Sequence, residues 1–187
     1  MRNLISLAHI SLDGFMAGPD GDMSFLSMTP EMGDLIYPLI NTVDLSVYGR
    51  VTYQLMESYW PTLGDGPEVG APERKHARWY NGVQKLVASR TLATASATTR
   101  IVRDDIVGAL RAAKQEKGGD IMVFGSPTLM HTLIAADVID TYQLTIQPVL
   151  VGRGTPLFAN VEKQQRLQLR DTKTFSNGVI AARYARR

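Results

Sequence analysis

DIMVFGSPTLMHTLIAADVID, residues 120–140, is the stretch on which the reading of this chain turns. Ile121 to Phe124 are four apolar residues in a row, too few for a helix and apolar enough for a strand buried on both faces. Gly125 supplies a turn. Ser126 and Pro127 suit the N-cap and first position of a helix, and Leu129, Met130, Leu133 and Ile134 then recur at helical spacing. A buried strand, a glycine turn and a new helix start place free backbone N–H groups where an anion can meet them. A single such turn also serves simply to pack a helix on a sheet.

The arrangement occurs twice. In VDLSVYGRVTYQLMESYW (43–60), Leu45 to Tyr48 read as a strand, Gly49 as the turn and Thr52 onward as a helix. Two helix N-termini converging on one cleft can grip a pyrophosphate from both sides. Arg50 adds a cation at the mouth of this turn, and Thr52 a hydroxyl donor.

The first strand is expected over residues 3–10, mostly apolar, with His9 its odd member. The glycine-rich stretch SLDGFMAGPDGDMSFL (11–26) reads as a long loop, of the kind that carries function. Thr29, Pro30 and Glu31 open a helix running to Ile40, which buries Met32, Leu35, Ile36 and Leu39. PTLGDGPEVGAP (61–72) is the best candidate for a mobile lid, and a short helix from Pro72 to Tyr80 should stop at Asn81-Gly82. Lys85 to Ala88 form a strand ending in Ser89-Arg90-Thr91, where a hydroxyl and a guanidinium suit a phosphate monoester. An ordinary polar surface turn would look the same. ATASATT (93–99) reads as loop. Asp104 or Asp105 caps a helix bearing Ile106, Leu110 and Ala113, which ends by Gly118-Gly119. Tyr142 to Val151 make a strand with Thr145 at its middle, and Asn177-Gly178 turns a terminal hairpin. Strand–helix alternation followed by a hairpin predicts a single α/β domain over 1–187, with a mixed, mostly parallel sheet of about eight strands and helices on both faces.

Composition narrows the function. The chain has 187 residues and a net charge of only +2, which gives no reason to expect nucleic acid or a membrane surface as partner. The three arginines among residues 183–187 read as a solvated tail. With no cysteine there can be no disulfide, thiol nucleophile or Cys-type zinc or Fe–S site, and a reducing cytoplasm suits the chain. No apolar run is long enough to span a bilayer.

Taken in order, SLDGFMAGPDGD, VYGRVTY, VASRTL, GGDIMVFGSPTLMHTLI and QPVLVGRGTPLF resemble the dihydrofolate reductase-like fold. More closely they resemble the RibD C-terminal domain family, in its stand-alone bacterial form. The resemblance implies NADPH held across the C-terminal edges of the strands. Gly49, Arg50 and Thr52 would then meet the pyrophosphate and the adenosine phosphate. Ser89 and Arg90 would take the 2′-phosphate, while Gly125, Ser126, Thr128 and Leu129 line the second helix start. His9, Met16 and Ala17 would lie beside the nicotinamide, and Thr145 would face the substrate.

The family's paired glycine is Gly125-Ser126 here, so less room is expected at that turn, with Ser126 still able to cap. The acid that would protonate a substrate has no fixed counterpart; Glu31 and Asp34 lie on the appropriate helix, and His9 or solvent are alternatives. His131 and His76 look uninvolved, one mid-helix and one in a basic helix. The implied reaction is hydride transfer to a C=N or C=O bond of a pteridine- or pyrimidine-like small molecule, similar to 5-amino-6-(5-phosphoribosylamino)uracil reductase. A place in riboflavin biosynthesis would need a separate deaminase. Dihydrofolate reduction, or nucleotide binding without catalysis, are the alternatives. The resemblance also implies a homodimer, with Tyr142, Val149 and Leu150 as candidate contacts.

Overall fold

A computed structural model of the chain describes residues 1–63, 69–159, 161 and 163–187. Eight strands form one sheet in the order β5-β4-β3-β6-β1-β7-β10-β9. They are β1 (Leu4–Ser11), β3 (Val43–Gly49), β4 (Gln84–Ala88), β5 (Thr99–Val102), β6 (Asp120–Phe124), β7 (Thr141–Gln147), β9 (Leu167–Thr174) and β10 (Ile180–Arg186). Pairings from β5 across to β7 are parallel; β10 is antiparallel to β7 and to β9. A two-stranded ribbon, β2 (Phe15–Ala17) with β8 (Thr155–Pro156), stands apart.

Helices cover both faces. On one side α1 (Pro30–Ile40), α2 (Arg50–Tyr59) and α3 (Ala71–Gly82) share a core with Ile5, Leu7, Tyr48 and Phe124. On the other, α4 (Ile106–Gln115) and α5 (Pro127–Ala135) pack on Leu4, Ala8, Val47 and Val123. Alternation along each strand, a direct consequence of the pleat, divides the two cores. The mixed, mostly parallel sheet with flanking helices and a C-terminal hairpin is the architecture read from the pattern.

Several local expectations are corrected. Helix α2 starts at Arg50 rather than Thr52, and α3 runs from Ala71 through Asn81-Gly82 rather than from Pro72 to Tyr80. The run 93–99 leads into an edge strand, β5, whose alternating Thr-Arg-Ile-Val is too short and polar to stand out. Pro148 stops β7, four residues before the expected end, because it has no N–H to give the ladder. Val149 and Leu150 therefore lie beyond the strand, Leu150 exposed, and Tyr142 is buried inside the sheet. The supposed arginine tail is β10: Arg183 Nε donates to Gln143 Oε1 at 2.9 Å, and Arg186 pairs with Asp137 at 2.7 Å. The stretch 11–26 is not all loop, since β2 lies within it. Of the proposed lid, residues 64–68 lie outside the described residues.

Candidate functional site

Parallel neighbours β3 and β6, in register at Val47 and Val123, end side by side. Each then turns into a helix, β3 through Gly49 into α2 and β6 through Gly125-Ser126 into α5. The helices leave toward opposite faces, so their two positive ends share one edge. Neither helix start is capped by the side chain of its own N-cap residue, Gly49 or Ser126.

Ser126 binds the turns together. Its hydroxyl accepts from the Gly49 N–H at 2.8 Å and donates to Thr52 Oγ1 at 2.8 Å. The expectation that Ser126 caps α5 is thereby corrected, because its side chain points back across to α2. Gly125 and Ser126 both adopt left-handed backbone, φ +48° and +60°. For a serine that conformation costs on the order of 1–3 kcal/mol, offset here by the hydroxyl's bonds. A Cβ on Gly49 would stand 3.2 Å from the Ser126 side chain, tighter than ordinary contact. A Cβ on Gly125 would meet only Met16 Cε, at 3.9 Å, and leave open space otherwise. That space is a cradle that a side chain would fill and a phosphate group fits.

The flank toward β4 is cationic. Arg50 reaches one turn along α2 to Gln54 Oε1 at 2.7 Å. Ser89 Oγ accepts from the N–H groups of Thr91 and Leu92, at 3.2 and 2.9 Å, and so shapes the turn that presents Arg90. Arg90 is 80% exposed and 3.9 Å from Asp104, a separation that leaves its guanidinium available. Arg103 braces the same turn through the carbonyls of Arg90 and Leu92. Thr128 is exposed at the start of α5, whereas the Leu129 side chain belongs to the core and leaves only its backbone to this edge.

The flank toward β7 is built differently. Met16 and Ala17, both buried, lie on β2, and Met16 reaches the Gly125 turn. The loop carrying them is held by Asp13, a residue the motif reading did not single out. Its carboxylate accepts from Ser11 Oγ at 2.6 Å, Val151 N at 3.1 Å and Gly152 N at 2.7 Å. The Ser11 bond, then the two backbone bonds, hold Asp13 below the usual carboxylate range. An aspartate followed by glycine with φ +87° at Gly14 was the available signal. His9 and Thr145 stand opposite each other on β1 and β7, with Nδ1 and Oγ1 2.5 Å apart. Burial pushes His9 down to about 4, so its ring is neutral at physiological pH.

Glu31 turns toward the terminal hairpin, accepting from Ser176 N at 3.1–3.2 Å and Ser176 Oγ at 2.7 Å. Asp34, on the next turn of α1, is exposed. His131 Nε2 lies 2.8 Å from the Pro156 carbonyl, tying α5 to β8. His76, in its basic helix, is buried and stacks on Trp60 with ring centroids 3.9 Å apart. Two surface hollows lie away from the glycine turns. One, about 550 Å³, includes Arg2, Thr42 and Asp120 at the opposite end of the sheet; the other, about 480 Å³, lies between Tyr53, Glu57 and Leu92.

Residues 2–181 match the model of the RibD C-terminal domain. The Bacillus subtilis (strain 168) protein YyaP is 31% identical over 185 residues, covering 98% of this chain and 94% of its own. A pyrimidine reductase-like protein from Corynebacterium diphtheriae superposes with a TM-score of 0.70 at 17% identity, covering 100% of this chain and 92% of that one. Enterococcus faecalis dihydrofolate reductase, solved with NADP(H), gives 0.64 at 15% identity, with 98% and 96% covered. At such identities the two solved structures speak for the fold.

Proposed function

The chain belongs to the RibD C-terminal domain family, and we propose that it is an NADPH-dependent reductase of a pteridine- or pyrimidine-like heterocycle. The observation that carries this reading is the pair of helix starts joined through Ser126. The glycine turns at Gly49 and Gly125 and the backbone N–H groups of the helix starts behind them would hold the pyrophosphate of NADPH. Arg50, Ser89 and Arg90 would hold its adenosine phosphates, and Met16, Ala17 and His9 would lie beside the nicotinamide. The fit of this residue set to a phosphorylated dinucleotide is favoured by the open space at Gly125 and the exposed Arg90.

Bound there, NADPH would supply the hydride for the carbon of a C=N or C=O bond and become NADP⁺, the heteroatom keeping the π pair and taking one proton. The protein's part is to hold the ring planes together and exclude water. His9, neutral and bonded to Thr145, is a poor acid at neutral pH, and Glu31 is committed to Ser176. Solvent is then the better proton source, with Asp34 the remaining exposed carboxylate of α1. Cofactor titration followed by turnover with a panel of pyrimidine, pteridine and carbonyl substrates tests the proposal. NADPH oxidation with none of them, at intact binding, would favour a binding protein. We also propose a cytoplasmic homodimer, for which light scattering at micromolar concentration is the measurement.

A further inference from the structure

The α1-facing side of β1 and β7 carries a polar row where a sheet beneath a helix ordinarily carries apolar residues. His9 stands opposite Thr145, and Ser11 opposite Gln147. His9 meets Thr145 at 2.5 Å, and Gln147 Oε1 accepts from the Ser27 N–H at 3.2 Å. Gln147 is 1% exposed, yet its Nε2 has no hydrogen-bond partner among the described residues; the same holds for Thr29 Oγ1. A buried polar group left unpaired costs about 1–3 kcal/mol, and groups of this kind gather where a ligand completes them.

The segment that covers this row carries charge of one sign. Residues 3–49 contain no lysine or arginine, while Asp13, Asp20, Asp22, Glu31 and Asp34 all fall in the part that crosses the ends of β1 and β7. Leu12 N–H bonds Val149 O, Ser27 bonds Gln147 and Glu31 bonds Ser176, which fixes that part in place. Beyond it, Lys173 lies over the Phe175 ring at 5.6 Å, and Arg153 occupies the exposed turn after Gly152. Large apolar side chains stand open in the segments that meet here: Leu12, beside Ser11 and bonded to Val149 through its backbone, Met28, next to Ser27, and Met23 and Leu150 are 45–71% exposed. Arg50, Arg90 and Arg103 lie on the other flank, beyond β3, and Arg183 of β10 is held by Gln143 Oε1 at 2.9 Å.

Resting on the reductase reading, we infer that this polar row binds a neutral heterocycle that carries no phosphate. A ring carbonyl or ring nitrogen accepts from Gln147 Nε2, and an uncharged, apolar substituent lies along Leu12 and Met28. A phosphoribosyl arm would instead be set among carboxylates with no cation from this segment to answer it, a repulsive element of the kind that sets specificity.

The test uses the full chain. NADPH is titrated first, by itself, because its failure to bind would end the reductase reading and say nothing of the row. The NADPH-saturated protein is then titrated calorimetrically with 5-amino-6-(butylamino)uracil and with the same uracil bearing a phosphate at the end of an equal arm. The butyl compound should bind roughly tenfold tighter or more at low salt, with the gap narrowing as salt rises. Gln147→Leu should weaken the butyl compound by roughly tenfold and leave NADPH affinity unchanged. The pair Leu12→Arg and Met28→Arg should shift the ratio toward the phosphate arm. Equal or tighter binding of the phosphate compound overturns the inference. So does an unaffected Gln147→Leu, or failure of both uracils to bind protein that holds NADPH.

Discussion

The two flanks of one sheet edge are held by different means. Toward β3 and β4 the fixed parts are backbone: two short glycine turns, two helix starts and a single serine hydroxyl between them. Toward β7 they are side chains: Asp13 grips the 151–152 turn, Glu31 the hairpin at Ser176, and Gln147 the chain at Ser27. A backbone site presents N–H groups to whatever anion arrives and tolerates little change of shape. A site built from side chains can change its ligand by substitution without disturbing the strands. The first suits a shared cofactor and the second a private substrate.

The comparison breaks most sharply at the glycines. Gly49→Val drives a branched side chain against Ser126, and Gly125→Val places one in left-handed backbone within the proposed cradle. Each should abolish NADPH binding by fluorescence titration. Overpacking also costs about 1–3 kcal/mol of stability, so melting curves must show the variants folded. A folded Gly125→Val protein with unchanged NADPH affinity would mean that this turn does not meet the phosphates.

The same division explains what the sequence made legible. Ile121–Phe124 and Leu45–Tyr48 announced buried strands, and the glycine after each announced the turn, because backbone sites leave a compositional trace. The contents of β2 and β5 were not legible: three or four residues carry too little periodicity. The pair Ser126-Pro127 marks the start of α5 but not the partner of the serine hydroxyl. Its bond to Gly49 spans 77 positions, and nothing local encodes it. Asp13 and Gln147 escaped for the same reason, as did His76, whose basic neighbours concealed a stack on Trp60.

The cationic flank makes the next test. Arg90 is the exposed cation at the end of β4, and its acidic neighbour Asp104 is 3.9 Å away. A charge-assisted contact is worth about 1.5–3 kcal/mol, so Arg90→Ala should weaken NADPH by roughly 10–100-fold. NADH, lacking the 2′-phosphate, should bind as before. Equal loss for both cofactors would assign Arg90 to the turn rather than to the ligand.

Acid distinguishes groups buried without charge from those that stay solvated. Burial pushes His9 and His76 down to about 4, below the unfolded value near 6.5. Between those values the unfolded chain binds more protons, so stability is complete above about pH 6.5 and declines as pH falls toward 4. For His76, with 8% exposure, the loss is about 1 kcal/mol at pH 5.5. Thermal melts from pH 7.5 to 4.5 should show the decline, and His76→Phe should remove its share. A flat profile would mean that neither ring is buried neutral.

The smallest effect is expected from Asp13, and it bears most directly on how the β7 flank is built. Two of its three bonds go to the backbone N–H groups of Val151 and Gly152, and the third to Ser11. Leu12 N–H to Val149 O, Leu157 N–H to Gly14 O and the β2–β8 pairing remain when the carboxylate is removed. Asp13→Ala should therefore loosen the clasp without releasing the ribbon. Met16 and Ala17 stay on β2 but lose part of their fixed distance from Gly125. A rise of about threefold in KM for the heterocycle, with kcat nearly kept, corresponds to one net hydrogen bond of about 0.5–1.5 kcal/mol. Amide exchange gives the decisive reading. Val151 and Gly152 should lose protection, while Gly49, bonded to Ser126 on the other flank, should keep its own. Loss at all three would show one cooperative unit spanning the edge, and the distinction between a backbone flank and a side-chain flank would fall.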